Sequence, residues 1–138
     1  MIEFYNEDID FPDVNVENIV RWIGKIIYNY SRIEGDLTFI FCSDNYLLEI
    51  NKQYLQHDYF TDIITFNYNE NEVISGDIFI SLDTVKSNAE EYKVTFFNEL
   101  LRVIVHGILH LIGFDDKTSE QKKIMREKEN EALNLFHL

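Results

Sequence analysis

The chain contains very little cysteine, proline and positive charge. Among its 138 residues there are one cysteine, one proline and five glycines. The single Cys42 excludes an internal disulfide, and within its apolar run it is most simply a small buried hydrophobic residue in a reducing compartment. The N-terminus has no basic segment followed by an apolar one, and every apolar run ends well before the roughly 20 residues that span a bilayer. We therefore expect a soluble cytoplasmic protein without a membrane partner.

The charge balance is strongly negative. Twelve Lys and Arg residues stand against 25 Asp and Glu residues, so the formal net charge is −13 at pH 7. Such a charge gives no general attraction to nucleic acid, so we expect no DNA partner, and any RNA has to be met by a local patch. Five basic residues follow residue 116, namely Lys117, Lys122, Lys123, Arg126 and Lys128. Acidic residues interleave with them, as on an ordinary solvated helix.

Hydrophobic periodicity and helix-capping residues predict a small α/β (α+β) protein. Apolar residues recur at helical spacing from Val16 to about residue 30, and capping side chains precede this helix and four others. The caps are Asn15, Ser43, Ser81, Thr95 and Thr118, the last paired with Gln121 in a capping box. Short apolar segments predict strands at about 2–5, 37–42, 62–66 and 77–80. The order β-α-β-α-β-β-α-α-α indicates a single small domain, residues 1–138, with a mixed sheet of about four strands covered by about five helices.

The helix predicted after Thr95 is apolar nearly all round, so its few polar side chains are informative. Glu99, Arg102, His106 and His110 follow at spacings of three, four and four, which places them on one stripe of the helix. Two histidines four residues apart can direct imidazole nitrogens at one point, as in helices that bind a metal ion through two histidines. Glu99 and Arg102 suit equally well a buried ion pair that orients the helix.

A third ligand is expected just beyond this helix. Gly113 is a natural helix stop that lets the chain turn back, so the carboxylate of Asp116 can approach the two imidazoles. Asp115 is the alternative, and the spacing favours Asp116. We predict a site for one divalent metal ion on the core helix and the turn after it. Zinc is the first choice, although iron(II), manganese and nickel accept the same donors.

The spacing H-x3-H-x2-G-x2-D matches the long zinc-protease signature except at one position. Gly107 stands where those proteases carry the glutamate that serves as the general base. Without this glutamate, peptide hydrolysis by that route is disfavoured, although the metal-binding spacing is retained.

The same segment resembles a known family. The run VIVHGILHLIGFDD, residues 103–116, resembles the H-G-x-L-H-L-x-G-[FY]-D-H signature of the YbeY family of metal-dependent endoribonucleases, which act in rRNA maturation. Upstream, the segments NKQY at 51–54, TDIITF at 61–66 and GDIFI at 76–80 are similar to that family's L-N-x-x-Y-R, T-[DN]-V-L-S-F-P and G-D-[IL]-x-I segments. The resemblance thus extends over most of the chain.

The resemblance implies an α/β fold and a single-strand-type endoribonuclease that acts in rRNA maturation and ribosome quality control. RNA would be cleaved by metal-assisted phosphodiester hydrolysis. The implied ligands, which also act in catalysis through the metal, are His106, His110 and Asp116. Asp62, Asp115 and Arg102 are candidates for positions around the ligands, the two carboxylates for proton transfer. The implied partners are rRNA and ribosomal particles.

Three positions depart from the family pattern, namely Leu55, Asn67 and Asp116. Asp116 replaces a histidine ligand, which changes the charge of the ligand set and can alter metal preference. Leu55 replaces an arginine placed to meet phosphate. A replacement cation would have to be Lys52, His57 or Arg102. Asn67 replaces a proline and changes only a local backbone preference.

Two other functions fit the same residues. The first is a metal-dependent hydrolase of another substrate, including peptides, which the motif permits and Gly107 opposes. The second is a non-catalytic ribosome-assembly factor in which the metal is structural, an alternative that Leu55 and the net charge of −13 keep open. RNA cleavage that is lost on chelation distinguishes the endoribonuclease from both.

Overall fold

The computed structural model describes residues 1–57 and 61–136. Within these ranges the chain forms four strands and five helices in the predicted order. They are β1 (Ile2–Asn6), α1 (Val16–Asn29), β2 (Ile33–Cys42), α2 (Asp44–Leu55), β3 (Ile63–Asn67), β4 (Val73–Ser81), α3 (Leu82–Tyr92), α4 (Phe96–Ile112) and α5 (Ser119–Phe136). Strands β2 and β4 each begin four residues earlier than expected. The reason is that the residues before their apolar segments also pair, beginning with Ile33 and Val73.

The predicted helix starts are confirmed by their hydrogen bonds. The side-chain oxygens of Asn15, Ser43, Ser81 and Thr95 each accept a backbone N–H from the residue three positions later. At α5 the capping box is reciprocal. The Thr118 hydroxyl accepts the Gln121 N–H at 3.1 Å, and the Gln121 side-chain oxygen accepts the Thr118 N–H at 3.1 Å. These bonds satisfy donors that a helix leaves without internal partners.

The four strands form one mixed sheet in the order β1-β2-β4-β3. Strands β1, β2 and β4 are parallel, and β3 is antiparallel to β4. Alternate residues of the central strands face opposite sides, so Phe39 and Ile78 join the main core and Cys42 joins a smaller cluster with Leu47 of α2. Helices α1 and α4 cover the first face, α2 covers the second, and the predicted α/β fold is confirmed.

Helix α4 lies against β3 and β4 and carries most of the polar residues singled out above. A Cβ atom at Gly107 would lie 3.0 Å from Ile63 and 3.2 Å from Ile78, so position 107 faces the sheet. A glutamate there would enter the core. The packing of α4 against the sheet therefore leaves no room at position 107 for the glutamate that zinc proteases use as general base.

Helix α5 is fastened to the rest of the fold by aromatic contacts. The indole N–H of Trp22 on α1 donates to the carbonyl of Ala132 at 2.7 Å, and the Trp22 and Phe136 rings meet edge to face at 5.4 Å. Met125, Ala132 and Leu133 are buried against the core on the same side of α5. These contacts fix the rotation of α5, and therefore which of its side chains point at α4.

Among the described helices, none by itself is long and apolar enough to cross a membrane. Helices α3 and α4 reach the required length and apolarity only when taken together, across a bend of 118°. In this fold α4 is the central core helix, and nearly all of its apolar side chains are buried.

Two glycine substitutions test the packing of the sheet. A Cβ at Gly76 of β4 would lie 2.4 Å from the backbone carbonyl oxygen of Phe66 on β3. Because that oxygen cannot move without breaking the strand pairing, we expect Gly76→Ala to lower the free energy of unfolding by about 1–3 kcal/mol. The matched control is Gly24→Ala inside α1, where the nearest atom is 3.5 Å away. It should raise the free energy of unfolding by about 1 kcal/mol, since alanine favours helix. Urea unfolding measures both, and equal stability of the two variants would contradict the close approach of β3 and β4.

Candidate metal centre

The end of α4 turns the chain back over the helix. The N–H of Gly113 donates to the carbonyl of His110 at 3.1 Å, and the N–H of Phe114 donates to the carbonyl of Leu109 at 3.0 Å, which is the Schellman pattern. Gly113 has a φ of 128°, a conformation that favours glycine. The turn places Asp116 beside the last two turns of α4.

Three side chains converge at this turn. The Nε2 atoms of His106 and His110 lie 3.1 Å apart. Asp116 places Oδ2 3.2 Å from Nε2 of His106 and Oδ1 3.6 Å from Nε2 of His110. All three donor atoms lie within 4.8 Å of one another, so the group could hold a metal ion.

The donor set fits a tetrahedral ion. Nitrogen and oxygen ligands about 2.0–2.2 Å from such an ion are separated from one another by roughly 3.3–3.5 Å. The two Nε2 atoms lie 3.1 Å apart, and each lies 3.2 or 3.6 Å from a different oxygen of Asp116, so these separations are close to that value. Two imidazoles and one carboxylate are donors that zinc accepts, and they leave a fourth position open.

Of the two adjacent carboxylates, Asp116 lies in this group and Asp115 does not. Asp115 is exposed and is not among the residues that line the described cavities around the histidines. The ligand roles of His106, His110 and Asp116 remain a prediction, and so does any role of Asp115.

A cavity of about 370 Å³ opens beside the three donors. Its lining includes the three donor residues, Asp62 and, on β3, Thr65 and Asn67. Burial raises the pKa of the Asp62 carboxyl, and the charge of His106 offsets this in part. The backbone carbonyl of Asp62 accepts the N–H of Ser81 at 3.0 Å, which fixes this segment at the end of β4.

Glu129 is the residue that the sequence analysis missed. Its Oε2 lies 2.7 Å from Nδ1 of His106, and its side chain is only 7% exposed. A carboxylate at Nδ1 fixes the imidazole as the tautomer whose Nε2 is free, and Nε2 is the atom that faces His110 and Asp116. One signal was present in the sequence, since Glu129 interrupts the buried stripe of α5 formed by Met125, Ala132 and Leu133.

Arg102 bonds to Glu129 as well. Its Nη1 donates to Oε1 of Glu129 at 2.9 Å, and its Nη2 donates to the side-chain oxygen of Asn130 at 3.0 Å. Of the two roles open to Arg102 and Glu99, a buried ion pair with each other is not the one found, because Arg102 on α4 pairs with Glu129 on α5. Arg102 does lie close to the ligands, because it shares a carboxylate with His106.

The charges around His106 favour a cation. Burial by itself would lower the pKa of His106, but the hydrogen bond to Glu129 and the charges of Glu129, Asp116 and Asp62 outweigh it, and the pKa is raised. Burial would raise the pKa of Glu129, yet its bonds to His106 and Arg102 hold that pKa below the ordinary value. The site therefore attracts positive charge, whether a proton or a metal ion.

Two of the candidate cations, Lys52 on α2 and His57 just after it, are not at the candidate metal centre. Among the described residues, Lys52 pairs with Glu49 at 3.8 Å, and neither Lys52 nor His57 lines a described cavity beside the three donors. Leu55 is at the end of the same helix and is partly exposed. Of the three candidate replacements for a phosphate-binding cation, only Arg102 lines a cavity next to His106.

Comparison with known proteins identifies similar chains. A family model described as "Endoribonuclease YbeY" matches residues 1–137. Proteins named "Endoribonuclease YbeY" are 50% identical over 138 residues in Phocaeicola vulgatus, covering all of both chains, and 52% identical over 135 residues in Parabacteroides distasonis, covering 98% of this chain and 95% of that one. The solution structure of TM1509 from Thermotoga maritima has a TM-score of 0.72 and 30% identity, and the match covers 99% of this chain and 89% of that one.

The contact between Glu129 and His106 can be tested by metal affinity. Glu129→Gln keeps the size of the side chain but removes the charge that holds His106 and raises its basicity, so we expect zinc affinity to fall roughly 10- to 100-fold. The control is Glu131→Gln, an exposed residue of the same helix whose partner is Lys128. Competition with a chromophoric zinc chelator gives the affinities. Equal zinc affinity in wild type and Glu129→Gln would show that Glu129 does not support the ligand.

Proposed function

We propose a function for this chain on the basis of its family. The chain belongs to the endoribonuclease YbeY family. It is accordingly an endoribonuclease, a hydrolase that cuts RNA within the strand. We propose further that residues 1–138 act as one metal-dependent domain, with single-stranded RNA as the preferred substrate form. The observation that carries the metal dependence is the convergence of His106, His110 and Asp116 within 4.8 Å.

We assign these three residues as the ligands and zinc as the ion. When bound there, a divalent ion would supply Lewis-acid polarisation of a phosphate oxygen and a lowered pKa for a water molecule. Two neutral imidazoles and one carboxylate leave a net positive charge on a site with a divalent ion, which suits an anionic phosphodiester. The carboxylate of Asp116 makes this charge smaller than three imidazoles would.

Asp62 is our candidate for proton transfer. It lines the cavity that holds the three donors and is not one of them. Burial raises the pKa of its carboxyl toward the range in which a group both takes up and releases a proton, as general acid–base catalysis requires. Glu129 and Arg102 act on the other side of His106, where they hold the imidazole in place.

The substrate, the cellular role and the location of the protein are proposed on the basis of the same family. We propose that the substrate is rRNA within ribosomal particles, that the role is rRNA maturation and ribosome quality control, and that the protein works in the cytoplasm. The resemblance of residues 103–116 to the family signature supports these assignments. The net charge of −13 requires the RNA to be met locally.

Peptide hydrolysis is the weaker alternative. Position 107, where zinc proteases carry their general base, holds glycine and faces Ile63 and Ile78 of the sheet. The second alternative is a purely structural metal in a protein that only binds ribosomal particles. The experiment below separates these alternatives from RNA cleavage.

The first test is metal content with RNA cleavage in matched variants. We expect close to one ion per wild-type chain, and loss of the ion in both His110→Ala and Asp116→Ala, because each removes one of three donors. Asp115→Ala is the control, since it removes the neighbouring carboxylate, and it should keep the ion.

Cleavage of a single-stranded RNA should follow metal content. Chelation or loss of a ligand should reduce the rate by roughly 100-fold or more, since the ion supplies several kcal/mol of transition-state stabilisation. Loss of the ion in Asp115→Ala but not in Asp116→Ala would overturn the ligand assignment. Metal-independent association with ribosomal particles, without RNA cleavage, would favour the structural-metal alternative. Cleavage of peptides would favour the peptide-hydrolase alternative.

A further inference from the structure

A second cavity adjoins the candidate metal centre on the side away from β3. It has a volume of about 250 Å³ and lies between α3, α4 and α5. It shares Asp62, His106 and Asp116 with the first cavity, so two of the three donor residues, His106 and Asp116, lie where the two cavities meet. A strand of RNA whose phosphate lies at the donors would therefore continue into one cavity on each side.

The two cavities both carry carboxylates, two in the first and four in the second, and they differ in their basic residues. Among the described residues, the lining of the first contains no lysine or arginine. The second is lined by Arg102, Lys122 and Arg126, three of the chain's twelve basic residues. The remaining basic residues of the C-terminal segment, Lys117, Lys123 and Lys128, are not among those that line it. The fold thus places two of the five cations of this segment, Lys122 and Arg126, in the same cavity as Arg102 of α4.

Two of the three cations that line the second cavity are exposed, and two of its four carboxylates are buried. The Arg126 side chain is 55% exposed and Lys122 is exposed, whereas Glu99 and Glu129 are buried. Glu129 already bonds to His106 and Arg102, at 2.7 and 2.9 Å, and Arg126 is farther from it at 3.7 Å. Arg126 can therefore turn to another anion without leaving the carboxylate unpaired.

An aromatic ring stands at the same cavity. Tyr92, at the C-terminal end of α3, is 54% exposed, and Asn88 one turn earlier lines the cavity with it. In the described part of the chain no ring or hydrogen-bond partner of Tyr92 is found. An exposed ring beside paired cations is the combination that binds single-stranded nucleic acid, since bases stack on the ring and phosphates meet the cations.

We propose that this cavity binds a nucleotide of a single-stranded RNA next to the cleavage point, with Lys122 and Arg126 on its phosphates and Tyr92 stacked on its base. The inference rests on the proposed function and names how the substrate is held. It explains how a chain with a net charge of −13 meets RNA, because two exposed cations and one ring act at a short range beside the site.

Binding of a defined RNA to the zinc-loaded protein tests this assignment. The probe is a fluorescein-labelled single-stranded hexamer of 2′-O-methyl uridine, whose integrity is checked by electrophoresis. Fluorescence anisotropy at several salt concentrations gives the Kd and its salt dependence. We expect the double variant Lys122→Ala/Arg126→Ala to bind roughly tenfold more weakly, with a salt slope smaller by about 1.4, since each phosphate contact on a single strand contributes about 0.7.

The base contact has its own pair of variants. Tyr92→Ala should weaken binding by roughly fivefold or more, because it removes a stacking surface, and Tyr92→Phe should bind like wild type, because it keeps one. Neither should change the salt slope. Zinc content of each variant, measured in parallel, confirms that the ligand group is intact.

The control removes the same charge elsewhere on α5. The double variant Lys123→Ala/Lys128→Ala takes two cations from the same helix but none from the cavity, and it should bind and respond to salt as wild type does. Equal weakening in both double variants, or none in Lys122→Ala/Arg126→Ala, would overturn the assignment while RNA cleavage by the wild type stands. A wild type that neither binds nor cleaves RNA would overturn the proposed function together with it.

Discussion

The carboxylate of Glu129 lies between the imidazole of His106 and the guanidinium of Arg102, and the site is arranged around it. Oε2 is 2.7 Å from His106 and Oε1 is 2.9 Å from Arg102, in a side chain that is 7% exposed. A buried carboxylate without partners is strongly destabilising, and removing one partner of such a pair typically costs 3–5 kcal/mol. Helices α4 and α5 must therefore keep their relative position. That position holds Nε2 of His106 toward Asp116 and also places Arg126 and Lys122 on the other side.

The close approach of α4 to the sheet has a similar consequence for chemistry. Gly107 lets the helix lie against Ile63 and Ile78, and this brings the histidines near the segment that begins β3. Asp62, in that segment, thus reaches the same cavity as the histidines. The same contact removes the space that a protease-type glutamate would need. The packing of α4 on the sheet therefore favours RNA cleavage with Asp62 and disfavours peptide hydrolysis.

Because the chain is strongly negative, its binding of RNA depends on local groups of cations. A net charge of −13 repels RNA at long range, although screening limits that repulsion to about 10 Å at ordinary salt. Recognition then depends on where individual lysines and arginines stand. The five cations that follow the ligand turn look alike in the sequence, interleaved with glutamates, yet the structure turns Lys122 and Arg126 toward the donors and Lys128 toward α1.

The sequence by itself determined what depends on near neighbours in the chain. Helix starts were predictable from caps such as Thr118, the order of strands and helices from periodicity, and the approach of His106, His110 and Asp116 from helix spacing and a glycine turn, because each involves residues a few positions apart. The family could be recognised for the same reason. The tertiary structure alone decided that Arg102 pairs with Glu129 instead of Glu99, and that Tyr92 shares a cavity with Arg126. These contacts join separate helices, and they depend on the rotation of α5 about its axis, which distant packing by Trp22 and Phe136 sets.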